Sequence, residues 1–115
     1  MSQIIHIDNS GFFRKIMKAF LSELGFESES YDRGYDALYA AKTNNVSCVI
    51  TALEMVDMSG EELVEQLSLL DRPISIIVFS SIQDTERLRH LEELGVIGFV
   101  QKTSNWKEEL RSFFK

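Results

Sequence analysis

Polar residues that could bind ions follow several short apolar segments of the chain. Asp8 and Asn9 follow IIHI, Ser80 follows IIVF, and Lys102 follows GFVQ. An acid, an amide, a hydroxyl and an ammonium group, if brought together, could bind a charged ligand. A further segment, CVIT, is followed instead by Ala52. The methyl group of Ala52 can neither attack a substrate nor bind an ion.

The elements that must position these residues are read from the spacing of apolar side chains. Five short segments are predicted to be strands: QIIHI (3–7), SESY (28–31), VSCVIT (46–51), ISIIVF (74–79) and IGFVQ (97–101). The segments between them have helical spacing. These helices are predicted at about 11–24, at GYDALYAAKT, after the capping box of Ser59 and Glu62, at DTERLRHLEEL, and from about Ser104.

Strands that alternate with helices of this length predict an α/β fold with a mostly parallel sheet covered on both faces. In open sheets of this kind, sites form beyond the carboxyl ends of the strands. The positions expected to meet there are Asp8, Asn9, Ala52, Ser80 and Lys102. The length of 115 residues predicts one domain, residues 1–115.

Composition narrows the possible functions. The net charge is −6 and the basic residues are not clustered, so we expect no nucleic-acid or membrane binding. Cys48 is the single cysteine and is predicted to be buried. The chain starts without a signal-like segment, which favours a cytoplasmic location. Phosphate-binding and hydrolase motifs are absent, so we predict neither an enzyme nor a resident cofactor.

Four motifs in order resemble the receiver domain of bacterial response regulators. They are IIHIDNS, VITALEMVDMSGEEL, IIVFSS and GVIGFVQKTS, and the likeness extends over the whole chain. The resemblance implies a flavodoxin-like, doubly wound, three-layer fold. Its sheet of five parallel strands would have the order 2-1-3-4-5, with five helices around it.

The resemblance also implies a phosphorylation pocket that has lost its reactive group. An Asp at the end of the third strand accepts a phosphoryl group in that family, and Ala52 stands at this position. The acidic pair of the family matches Asp8 and Asn9. With these two residues and the backbone carbonyl of Glu54 as candidate ligands, we expect Mg²⁺ to bind weakly at most.

Other parts of the family pattern are retained. Ser80 matches the switch hydroxyl, Phe99 the switch aromatic residue, and Lys102 the family lysine. Thr103 replaces a proline that usually follows this lysine in a cis bond, so we expect a trans bond and a displaced loop. Lys102 could therefore be solvated, or it could pair with Asp8.

Two further residues have both a functional and a purely structural interpretation. His6 lies among isoleucines and is predicted to be a partly buried, hydrogen-bonded histidine and not a metal ligand. Trp106 is either a contact residue, as expected for a binding hot spot, or part of the core.

The favoured hypothesis is a degenerate receiver of a two-component phosphorelay that acts by protein–protein contact without phosphorylation. Its surface would be the fourth helix, fifth strand and fifth helix, with these candidate contact residues: Arg87, His90, Phe99 and Trp106. The expected partners are a histidine kinase, a phosphotransfer protein or an output domain, and two copies could also associate. One alternative is an ordinary phosphorylatable regulator that is seen as a variant with Asp replaced by Ala at position 52. Another is a module that binds an anion or small molecule in the vacated pocket.

Overall fold

The sheet is fully parallel and has the predicted order. The computed structural model describes residues 3–114. Its strands are β1 (Gln3–Ile7), β2 (Ser28–Tyr31), β3 (Val46–Thr51), β4 (Ser75–Ser80) and β5 (Gly98–Gln101). They pair in the order β2-β1-β3-β4-β5. The flavodoxin-like fold predicted from the sequence is confirmed.

The boundaries of β4 differ from the prediction at both ends. Ser80 pairs with Gln101 in the ladder between β4 and β5, so β4 extends through this polar residue. The predicted strand ends at Phe79, because the prediction follows apolar residues and Ser80 is polar. Strand continuity in a parallel sheet depends on backbone hydrogen bonds, which serine makes as well as valine does.

The helices follow the predicted periodicity. They are α1 (Gly11–Glu23), α2 (Gly34–Thr43), α3 (Gly60–Ser68), α4 (Thr85–Glu93) and α5 (Trp106–Arg111), followed by a 3₁₀ turn, Ser112–Phe114. The Ser59 hydroxyl accepts the Glu62 N–H at the start of α3, as the capping box predicts. Gly95 adopts a left-handed φ of 111° after α4, which a residue with a side chain would rarely adopt. No helix among residues 3–114 is long and apolar enough to cross a membrane.

Each face of the sheet packs against its own group of helices. One face meets α2, α3 and α4 through side chains such as Ile7, Leu38 and Leu63. The other face meets α1 and α5 through side chains such as Met17 and Leu110. The central strands are buried on both faces, which fixes the carboxyl edge of the sheet as a rigid base for the loops.

Trp106 belongs to the core, and its prediction as a contact residue is wrong. The side chain is only 7% exposed. Its ring lies 5.3 Å from that of Phe20 and 5.2 Å from that of Phe79. Tryptophan is enriched both in cores and at interfaces, so the sequence pattern left both roles open.

The loop after β3 provides the N-terminal cap of α2. The residue at the cap position, Arg33, makes no side-chain cap bond. The Asp57 carboxylate instead accepts the N–H groups of Gly34 and Tyr35, at 2.8 and 3.0 Å. Desolvation opposes ionisation of Asp57, but these two donors, together with its own N–H and the charge of Arg33, lower its pKa. Its position in a loop gave no sign of this role, because the helix that it caps lies earlier in the chain.

Replacing Asp57 with Ala should lower the free energy of unfolding by about 1–2 kcal/mol, because two helix N–H groups lose their acceptor. Urea unfolding would measure the change. Asp71→Ala, which removes an exposed acid elsewhere, is the matched control. Equal effects of the two substitutions would contradict the capping role.

Candidate functional site

Backbone hydrogen bonds bring the predicted site residues to one edge of the sheet. The Ala52 N–H donates to the Ile7 carbonyl at 3.0 Å, which places Ala52 beside the end of β1. The Lys102 N–H donates to the Ser80 carbonyl at 3.2 Å and joins the ends of β4 and β5. Asp8 directly follows β1. The carboxyl ends of four neighbouring strands therefore carry these residues.

Asp8 and Lys102 form an ion pair inside this edge. The Nζ atom of Lys102 lies 2.7 Å from Oδ2 of Asp8, and the side chain of Asp8 is fully buried. Oδ1 of Asp8 accepts the Ser10 N–H at 2.9 Å. A second cation, Arg14, donates from Nη1 to the Asp8 carbonyl oxygen at 2.7 Å. Lys102 and the Ser10 N–H thus hold the two carboxylate oxygens, while Arg14 holds the main chain of the same residue.

Aromatic rings fix the lysine in this position. Its Nζ lies 4.4 Å from the centre of the Phe13 ring and 5.4 Å from that of Phe79, both within the range of cation–π attraction. The bond from Lys102 to Thr103 is trans, as predicted. The expected displacement of the lysine is wrong, and the alternative of pairing with Asp8 is confirmed. The two rings and the buried carboxylate hold the ammonium group inward, although Thr103 replaces the proline in the loop that follows.

The residues do not fit the Mg²⁺ site that the resemblance implies. Mg²⁺ binds carboxylates and other oxygen ligands, usually with several waters. The carboxylate of Asp8 is already paired with a cation, and Asn9 is exposed and offers only an uncharged amide. No cluster of three acidic, histidine or cysteine side chains suited to a metal occurs among residues 3–114. The role of the Glu54 carbonyl stays a prediction.

His6 is buried beneath the ion pair. It is 1% exposed, and its Nε2 lies 3.9 Å from Oδ2 of Asp8. Neither ring nitrogen forms a hydrogen bond with a described residue, contrary to the expectation of a bonded histidine. Burial lowers the pKa of His6 to about 4; Asp8 opposes this shift, while Lys102 and Arg14 add to it. His6 is therefore neutral at pH 7.

Ser80 and Phe99, the two predicted switch residues, line one groove. The Ser80 hydroxyl accepts the Ile82 N–H at 3.0 Å, so it stabilises the loop after β4. Phe99 is half-buried and packs against the core with Ile82 and Leu88. The groove beside them has a volume of about 360 Å³ and runs between α4 and α5 across β5.

Arg87 is not a free contact residue, which corrects its assignment to the partner surface. Its guanidinium binds both carboxylate oxygens of Glu61, at 2.5 and 2.9 Å. It also donates to Glu54 at 2.6 Å and to the Leu53 carbonyl at 3.2 Å. The hydrogen bonds from Arg87 lower the pKa of Glu61. We call Arg87, Glu61 and Glu54 the Arg87 clamp; it joins α4 to α3 and to the loop after β3.

Of the remaining predicted contact residues, His90 is exposed on α4 and Phe99 is half-buried at the groove. Three residues were not predicted to belong to the site: Arg14, Phe13 and Glu61, which contact Asp8, Lys102 and Arg87 respectively. Helical spacing could have placed Arg14 one turn from the start of α1. Nothing in the local sequence indicates that Glu61 meets a residue of α4.

Comparison with known proteins agrees with this architecture. The chain matches the response regulator receiver domain over residues 4–114. It belongs to the response regulator receiver family.

Solved receivers share this fold across nearly the whole chain. The receiver domain of a putative Luxo repressor protein from Vibrio parahaemolyticus has a TM-score of 0.90 at 19% identity, covering 98% of this chain and 86% of that one. Vibrio cholerae chemotaxis protein CheY4 has a TM-score of 0.84 at 22% identity, covering 99% and 97%. At this level of identity the structures establish the fold alone.

A curated relative is longer than this chain. Transcriptional regulatory protein SrrA of Staphylococcus aureus is 23% identical over 107 residues, which are 93% of this chain and 44% of the relative. The receiver thus spans less than half the length of that protein. Receivers are signalling modules of two-component systems that work with protein partners such as kinases and output domains.

Replacing Lys102 with Met should lower the free energy of unfolding by about 3–5 kcal/mol, because Asp8 would remain buried without its partner. Adding Asp8→Asn in the same chain should restore most of that loss. Urea unfolding of the wild type, the two single variants and the double variant gives the coupling free energy between Asp8 and Lys102. Lys15→Met, at an exposed site, is the control. Additive effects would contradict a direct ion pair.

Replacing His6 with Ile should flatten the dependence of stability on pH. The unfolded chain protonates His6 near pH 6.5 and the folded receiver near 4, so the unfolded state binds more protons between these values. The unfolding free energy should therefore fall by about 3 kcal/mol as the pH drops through this window. Urea unfolding at several pH values tests this, with His90→Gln as the control. An unchanged profile in His6→Ile would contradict the assignment.

Proposed function

We propose that this receiver signals through protein–protein contacts without forming an aspartyl phosphate. The observation that carries the proposal is Ala52 at the end of β3, where the family resemblance places the phosphoacceptor. A methyl group has no lone pair with which to attack phosphorus. The ion pair supports the same conclusion, because Asp8 already neutralises the lysine that would meet a phosphoryl oxygen.

The contact surface we propose is the one formed by α4, β5 and α5, with Phe99 in its groove and His90 outside the groove on α4. Phe99 is half-buried there, while His90 is exposed on α4. The Arg87 clamp holds the N-terminal turn of α4 by contacts within the chain. A partner would thus meet one preset arrangement of α4, whichever of a kinase, a phosphotransfer protein, an output domain or a second copy binds.

Two alternatives from the sequence are less well supported. An ordinary regulator with a single Asp-to-Ala change would not account for Asn9 and Thr103, or for Val56, where the family resemblance implies a proline. An anion-binding pocket would need an unpaired cation. The ammonium group of Lys102 is paired with a buried carboxylate, which counts against that use.

The proposal is tested with acetyl phosphate and Mg²⁺, followed by intact-mass spectrometry. The wild-type receiver should keep its mass, because no nucleophilic oxygen lies at residue 52. The control is a variant with Ala52→Asp and Asn9→Asp, which restores the acids of the family pattern and should gain one phosphoryl group. A stable phosphoryl adduct on any acidic side chain of the wild type would refute the proposal.

A further inference from the structure

Helix α2 presents two tyrosines that neither the core nor the pocket uses. Tyr35 is 60% exposed and Tyr39 is 70% exposed. They lie four residues apart and therefore share one side of the helix. Leu38 and Ala41 of the same helix are buried. Tyrosine is enriched at protein interfaces, where it supplies a large contact area with a polar tip.

A groove next to Tyr35 separates α2 from α3. Its volume is about 400 Å³, and it is lined by Tyr35, Met58, Glu62, Glu65 and Gln66. Glu62 and Glu65 are exposed on α3. The lining therefore combines an aromatic ring and a thioether with two carboxylates, and it includes no basic side chain.

Contacts within the chain join the loop after β3 to α2 at one side of the groove. Asp57 ties the loop after β3 to the first N–H groups of α2. A Cβ at Gly34 would lie 2.4 Å from the Met58 side chain, so the loop and the helix are in direct contact. Val56, in the same loop, is 66% exposed. A preformed surface loses little conformational entropy on binding.

We propose that this surface, which we call the α2–α3 face, binds a basic amphipathic helix of a partner protein. Charge complementarity selects this occupant: Lys or Arg side chains would pair with Glu62 and Glu65 and lie over the tyrosine rings. The apolar side of such a helix would contact the Tyr35 ring and the small exposed part of Met58, which is 7% exposed. Helices commonly bind proteins by laying an apolar face into a groove of this kind.

The α2–α3 face is separate from the contact surface of the proposed function. None of its residues belongs to α4, β5 or α5, and binding here needs no phosphoryl group. The two proposals can therefore fail independently. A phosphoryl adduct would refute the first and leave this one standing.

The test titrates the ¹⁵N-labelled receiver with an amphipathic helical peptide made of Leu and Lys, and separately with its Leu and Glu counterpart. Amide resonances of residues 34–43 and 56–66 should shift with the Lys peptide and not with the Glu peptide. Replacing Tyr35 and Tyr39 together with Ser should weaken binding by about tenfold or more. Phe12→Ser is the aromatic control: Phe12 lies on α1, is 67% exposed, and its replacement should leave binding unchanged.

Matched charge variants separate this site from general attraction to an acidic protein. The double variant Glu62→Gln, Glu65→Gln should weaken binding of the Lys peptide. The double variant Glu92→Gln, Glu93→Gln on α4 should have little effect on that binding. Equal weakening by both pairs, or shifts confined to α4, β5 and α5, would overturn the proposal. Shifts at residues 34–43 that grow with receiver concentration, without peptide, would assign the face to a second copy and also overturn it.

Discussion

A buried ion pair governs the carboxyl edge of this sheet. The carboxylate of Asp8 is fully buried, and a charge in that position requires a partner. Lys102 supplies it at 2.7 Å, held inward by two phenylalanine rings, and Arg14 binds the carbonyl of the same acid. The residues to which the family resemblance assigns phosphoryl and metal binding are thereby paired with each other. Under the proposed function, the pocket remains as part of the architecture and binds no phosphoryl group.

The loops around the pocket are held by contacts of the same internal kind. The Ser80 hydroxyl supports the loop after β4, and the Arg87 clamp joins α4 to α3. Asp57 joins the loop after β3 to α2. Each loop is thus tied to a neighbouring element. The proposed function requires such contacts, because a receiver that signals without phosphorylation must present one fixed surface to its partners.

Local sequence patterns predicted the elements well and the long-range contacts poorly. The alternation of strands and helices, the capping box at Ser59 and the stop at Gly95 are properties of short segments, so they can be read directly. The pairing of Arg87 with Glu61 joins residues far apart in the sequence, and only the folded chain brings them together. Trp106 had two roles compatible with one pattern, and burial decided between them. The capping role of Asp57 could not be read from its loop, because α2, the helix that it caps, lies earlier in the chain.

The state of the Lys102 ammonium group in solution tests the account most directly. Nitrogen-15 NMR of the lysine side chains can follow the Nζ resonance of Lys102. We expect this resonance to shift when Asp8 is replaced with Asn, because the ion pair is lost, and to stay unchanged when Mg²⁺ or acetyl phosphate is added. A Lys102 resonance that is insensitive to the Asp8 substitution and shifts with either reagent would show a free lysine. That result would contradict the pairing of the two charges within the pocket.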